Sequence, residues 1–223
     1  MITFTNTPSH LIVDTLVEKS KNPKSNVTNQ STKLDLVPGL ENDLRLEDVF
    51  QKRTSTRFFK ADPVKYSDLL KLLQQNTSFM KSISEPELFQ QLVILRNIDN
   101  PALSLESVYQ YDLETNRIIP RFQFSEEKVH EFYLQKEFAF APVTIVLVGK
   151  LEESIKKNHG LSGYKDLLQK SGSIAHYAWL NALSMGYAGT VFAGFNPNSL
   201  YQLCNIDGYR DSQMIAFSFG YSH

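Results

Sequence analysis

The chain predicts an α+β fold built on one main sheet, and three observations carry that reading. Helical and strand-like segments intermix irregularly instead of alternating. VTIVLVG (143–149) is continuously apolar, as strands are when both faces are covered, and MIAFSFGY (214–221) reads as a final strand. Between them lies GSIAHYAWLNALSMGYAGTVFAGF, from Gly172 to Phe195, in which Ile174, Tyr177, Ala178, Leu180, Ala182, Leu183 and Met185 recur at helical spacing. Small residues (Gly172, Ala175, Ala178, Ala182) let a neighbouring backbone come close, so this helix belongs at the centre of a domain or at a subunit seam. Gly186 suits the left-handed residue that ends many helices, and Thr190 to Phe195 reads as a short buried strand.

Before that centre the elements follow in order. Residues 1–43 form a polar arm. HLIVDTLVEK can make a short helix, but SKNPKSNVTNQSTK is rich in Ser, Asn and Lys and reads as a mobile arm or surface strap. Pro38-Gly39 marks a turn, and the domain proper is expected over 44–223. A helix from about Leu46 carries Leu46, Val49 and Phe50 on one face and runs into the basic loop RTSTR. There Arg53, Ser55 and Arg57 stand at every second position, which in an extended backbone puts all three side chains on one side. Two guanidinium forks and a hydroxyl so placed can hold a phosphate; a solvated basic turn is the plainer alternative. YSDLLKLLQQN follows, with Ser67 as cap and Leu69, Leu70, Leu72 and Leu73 as buried face.

KSISEPELFQQLVILRNI moves from a polar turn into the strand LVIL, and VYQYDLETNRIIP reads as a hairpin with an Asn-containing turn. EKVHEFYLQKEFAFAP is expected to be a helix ended by Pro142. LEESIKKNHGLSGYKDLLQKSG leads through a Gly-punctuated loop into the central helix. NPNSLYQLCNID begins a further helix with Asn198 or Ser199 as cap.

Composition narrows the function classes. The formal net charge of the 223 residues is −1, with both signs interspersed, which argues against a nucleic-acid-binding surface or a polybasic membrane patch. A single cysteine, Cys204, excludes an internal disulfide framework and any multi-cysteine metal site. The five histidines show no ligand spacing, so no metal is expected. No apolar run reaches bilayer length and the start lacks the form of a signal peptide, so the expectation is a cytoplasmic protein with no membrane partner.

Taken in order, RTSTRFF, the Leu-rich helix, the Tyr-x-Tyr-Asp hairpin, VTIVLV, SGSIAHYAWLNALSMGYAGTVFAGF and FSFGY resemble the nitroreductase-like flavoproteins over roughly 44–222. The YQYD hairpin and the polar arm look most like the SagB-type dehydrogenase branch, whose members oxidise azoline rings to azoles in ribosomally made peptides. The resemblance implies a central, mostly antiparallel sheet flanked by helices in a tight homodimer with FMN at the seam. It implies FMN held by Arg53, Ser55 and Arg57, with Ser82 in a flavin-contacting loop and with Gly189 and Gly194 allowing close backbone approach. It also implies a peptide substrate and a cyclodehydratase complex as partners.

Two departures from the pattern stand out. KSISE replaces a PSxGG-like loop, and the Glu85 carboxylate beside an electron-rich flavin would disfavour reduction. Where the branch often carries a Lys-Tyr pair before its equivalent of Tyr164, this chain has Asn158-His159, with Lys157 one position earlier. The catalytic candidates are therefore His159, Lys157 and Tyr164; a neutral imidazole can act as a base at neutral pH. Two other readings stay open: an NAD(P)H-dependent nitro- or quinone-type reductase, and a catalytically inactive scaffold subunit of a peptide-modifying complex.

Overall fold

The computed structural model describes residues 46–83, 85–158 and 160–223; the polar arm 1–43, the expected domain start at Leu44, and His159 lie outside the described residues. Six strands form one sheet: β1 (Phe89–Leu95), β2 (Ser107–Asp112), β3 (Arg117–Gln123), β4 (Val143–Lys150), β5 (Ala188–Phe192) and β6 (Asp211–Gly220). Their order across the sheet is β3-β2-β1-β4-β6-β5, and every neighbouring pair is antiparallel. The expected hairpin is β2–β3, turned by Asn116 in the left-handed region at φ 53°. The described helices are α1 (Leu46–Lys52), α2 (Tyr66–Ile83), α3 (Glu126–Phe132), α4 (Leu151–Lys157), α5 (Leu161–Ser184) and α6 (Pro197–Cys204).

Strand β4 reads as a continuously apolar run because both faces of the sheet are covered there. One face carries Val93, Leu95, Val143, Ile145, Phe217 and Phe219 against Leu69, Leu72 and Leu73 of α2 and Ala178 and Ala182 of α5. The other carries Leu92, Ile94, Val146, Val148 and Ala216 under Phe132, Tyr133, Phe138, Phe192 and Leu200. Ala178 and Ala182 are 1% and 0% exposed within this single chain, so these two small residues of the central helix pack against their own sheet.

Several local expectations are corrected. The loop expected through GYKDLLQKSG is the first half of α5, which starts at Leu161. Gly163 permits this, since a Cβ there would sit 2.3 Å from the Ser154 carbonyl oxygen; the glycine lets α4 abut α5, and Ser154 Oγ donates to the Gly163 carbonyl at 3.0 Å. At its other end α5 closes as expected, with Gly186 at φ 87°, its N–H on Leu183 O and the Tyr187 N–H on Ala182 O. Helix α2 starts at Tyr66, whose N–H donates to Asp99 Oδ1 at 2.6 Å, so Ser67 is not its cap. The α6 cap is Asn196, which accepts from the Asn198 N–H, in place of Asn198 or Ser199.

The single helix expected through EKVHEFYLQKEFAFAP is broken. Tyr133 turns extended, bridging Phe195, and the Leu134 N–H is drawn onto Gly194 O at 3.0 Å. A short 3-10 turn, Lys136–Phe140, precedes Pro142. Strand β5 begins at Ala188, two residues before the expected start, and stops at Phe192.

Candidate functional site

The basic segment after α1 runs as a strap along the outer edge of β5. Ser55 forms a parallel bridge with Gly189, and the Thr56 N–H donates to Gly189 O at 3.0 Å. Further on, Phe59 bridges Ser222 and the Lys60 N–H donates to Tyr221 O at 2.9 Å. Strap geometry therefore follows from backbone pairing, which leaves its polar side chains free to project.

Arg53 lies over the Trp179 ring of α5 at 4.9 Å, and Trp179 belongs to the helical face of the sheet. Arg57 lies over Phe138 at 5.9 Å, on the opposite face, and its Nη1 is 3.2 Å from Glu137 Oε1. The two guanidinium groups thus rest on rings from different faces of the sheet, and the one-sided row expected from their spacing is not formed. Ser55 is exposed between them. Neither arginine is held strongly: cation–π contacts and half-exposed ion pairs are interactions that a multivalent anion can replace.

Sequence reasoning missed the surroundings of these arginines. The Trp179 indole Nε1 is buried and has no hydrogen-bond partner, an orphaned donor beside Arg53. His176 meets Trp179 edge-on at 6.5 Å and stacks with Phe50 at 6.3 Å. Burial, then the nearby Arg53 charge, hold the His176 imidazole below its ordinary pKa. On the other side the 3-10 turn brings Glu137 and Phe138 to Arg57, with Phe138 stacked on Phe192 at 3.9 Å and 12°.

The glycines differ from each other. A Cβ on Gly189 would meet Ser218 O at 2.5 Å and the Phe217 ring at 2.6 Å, so this glycine is required by the sheet's own packing. At Gly194 the nearest atom to a Cβ is Leu134 Cβ at 3.6 Å, an ordinary contact. Ser82 is not in a loop: KSI forms the last turn of α2, and Ser82 Oγ donates back to Phe79 O at 2.7 Å.

The catalytic candidates lie elsewhere. Lys157, in the last turn of α4, is ion-paired with Glu85, so the carboxylate of the KSISE segment is neutralised by that ammonium. Tyr164 is exposed in the first turn of α5. Along that one helix Tyr164 and Trp179 are 15 residues apart, about 22 Å at the usual helical rise. Within one subunit Tyr164 and the Arg53 anchor therefore do not come together. Burial pushes the Cys204 thiol up to about 11, which makes it a poor nucleophile at neutral pH.

A family model for the nitroreductases matches residues 50–221, which spans strap, sheet and central helix. The chain belongs to the nitroreductase family. Among this family's curated relatives, MJ1384 of Methanocaldococcus jannaschii, a candidate nitroreductase, is 27% identical over 183 residues, covering 78% of this chain and 90% of that protein. The fold is shared with a candidate nitroreductase structure from Anabaena variabilis, with a TM-score of 0.65 at 16% identity; 80% of this nitroreductase-family chain aligns but spans only 38% of that one. It is also shared with a chain of the E. coli microcin synthetase McbBCD complex, solved with truncated pro-MccB17 bound. That alignment has a TM-score of 0.60 at 15% identity and covers 98% of this chain and 95% of the other. Among the described residues no helix is long and apolar enough to cross a membrane, and no cluster of His, Cys, Asp and Glu could hold a metal ion.

Proposed function

We propose that this nitroreductase-family protein is an FMN-dependent oxidoreductase that oxidises azoline rings to azoles in a ribosomally made peptide, as SagB-type dehydrogenases do. The observation that carries the cofactor reading is the strap, with two weakly held guanidinium groups and an exposed hydroxyl on one fixed stretch of backbone. The donor set fits a flavin nucleotide. Arg53 and Arg57, once lifted from their separate rings, would suit its phosphate, Ser55 its phosphate or ribityl oxygens, and the Trp179 N–H is an unpartnered donor beside Arg53. Gly194 has room for a ligand's approach, whereas Gly189 is used by Phe217.

When bound, FMN supplies the two-electron acceptor for the hydrogen lost from the ring carbon. The chain's own part is to position that cofactor and to remove the accompanying proton. Lys157 is engaged in an ion pair with the Glu85 carboxylate. The proton is assigned to His159, with Tyr164 as a neighbouring hydrogen-bonding group. The separation of Tyr164 from Arg53 along α5 favours a homodimer in which one copy supplies the strap and the other the proton acceptor. Likeness to a chain of the microcin synthetase complex, solved with truncated pro-MccB17 bound, supports a peptide substrate and a place in a multi-subunit complex; a cyclodehydratase partner belongs to the SagB-type reading.

The test is direct. Purified protein should carry the visible absorbance of bound flavin, lost on dialysis of Arg53→Ala, and should remove two hydrogen atoms per ring from an azoline peptide, read by mass spectrometry. A colourless parent that takes up no FMN overturns the cofactor reading. A flavin-loaded parent inert on azolines but active with NAD(P)H and a nitroarene or quinone establishes the reductase reading, which the family assignment itself favours.

A further inference from the structure

Arg57 already has an anionic partner. Its Nη1 lies 3.2 Å from Glu137 Oε1, with the arginine half exposed and the glutamate less so. The carboxylate belongs to a turn that is fixed at two points. Phe138, 2% exposed, stacks on Phe192 at 3.9 Å, and just before the turn the Leu134 N–H is bonded to Gly194 O. Arg57, by contrast, is on a long flexible side chain lying over the Phe138 ring. Of the two partners Glu137 is therefore on the more constrained segment, so its carboxylate remains near the strap when Arg57 turns to another anion.

We propose that Glu137 is a built-in competitor for the phosphate of the flavin, setting how tightly the strap grips it and how strongly it selects FMN over a flavin without phosphate. This rests on the flavin reading given above. A phosphate reaching Arg57 has two routes. It can displace the carboxylate and forfeit the ion pair, or it can share the guanidinium fork with a second anion a few ångströms away. Either route lowers affinity relative to a site with a neutral residue at 137, and both act only on a ligand that carries the phosphate charge.

The experiment titrates FMN and riboflavin, by quenching of flavin fluorescence, into the flavin-stripped parent, Glu137→Gln, Arg57→Ala and the double variant. Glu137→Gln keeps the shape and removes the charge, so FMN should bind about 3- to 10-fold tighter, in line with one partly exposed charge. Riboflavin should bind the parent and Glu137→Gln equally. In the Arg57→Ala background the gain from Glu137→Gln should shrink, because the ion pair it relieves is already gone. An FMN affinity unchanged or weakened by Glu137→Gln, with Arg57→Ala still impaired, overturns the competitor and leaves the flavin reading standing. An equal gain for riboflavin also overturns it, since the effect would not pass through phosphate. Absence of FMN binding in the parent and in Glu137→Gln overturns both readings together.

Discussion

The ammonium of Lys157, in the last turn of α4, is ion-paired with the carboxylate of Glu85 in the segment leading into β1. Both side chains are about half exposed, so the pair is one of registration between two elements and not a pillar of the fold.

Lys157→Ala and Glu85→Gln should each leave unfolding free energy within about 1 kcal/mol of the parent in urea titrations. Turnover of an azoline peptide should stay within about fivefold for Lys157→Ala, whereas His159→Ala should lower it roughly 10²- to 10⁴-fold with flavin retained. A hundredfold loss in Lys157→Ala, with His159→Ala unaffected, would move the proton acceptor to the lysine.

Gly189→Ala should destabilise the protein by about 1–3 kcal/mol, because its new methyl meets backbone oxygen and ring carbon that have nowhere to go. Gly194→Ala should change stability by less than about 0.5 kcal/mol, its methyl meeting only Leu134 at 3.6 Å. Chemical denaturation of the two variants side by side checks this. Equal stability would mean that β5 and β6 can part more easily than their register implies.

Ala182→Glu places a charge where exposure is 0%, between α5 and the sheet of the same subunit. A buried unpaired charge costs on the order of 3–5 kcal/mol, a large share of a domain's stability. The expected outcome is loss of the cooperative melt and of native circular dichroism. A well-folded monomer would instead return this helix face to a subunit interface.

His176 predicts a pH effect on stability. Its folded-state pKa is depressed by burial and by Arg53, so the unfolded chain binds the proton more readily. Stability from this site is present above the unfolded histidine pKa, about 6.5, and is lost as pH falls through it. His176→Gln should flatten part of the decline in unfolding free energy between neutral and mildly acidic pH. An unchanged slope would show that the imidazole titrates as it does in the unfolded chain.

Much of the fold could be read from the chain because its cues are local. Helical spacing from Ile174 to Met185, the φ 87° glycine at 186 and the Asn116 turn each announce themselves within a few residues. What could not be read depends on distant partners. Gly160 and Gly163 look like a loop until Ser154 is known to lie against Gly163. Tyr133 leaves its helix for Phe195, more than sixty positions away. The candidate site divides the same way: RxSxR is visible as a basic alternation, but Trp179 and Glu137 reach it only through tertiary packing.

The strap that carries Arg53 and Arg57 is also what covers the free edge of β5, while the far edge strand, β3, contains Pro120, which has no N–H to offer. If the strap holds the flavin phosphate as proposed, shelf life and ligand occupancy would be tied to one stretch of chain. On the proposed flavin reading, an anion gripping the two arginines would pin the strap against the sheet. A protein stripped of that anion and allowed to fray there would bare a row of unpaired backbone groups, and the first step towards insoluble aggregate would be the same motion as the first step of ligand loss.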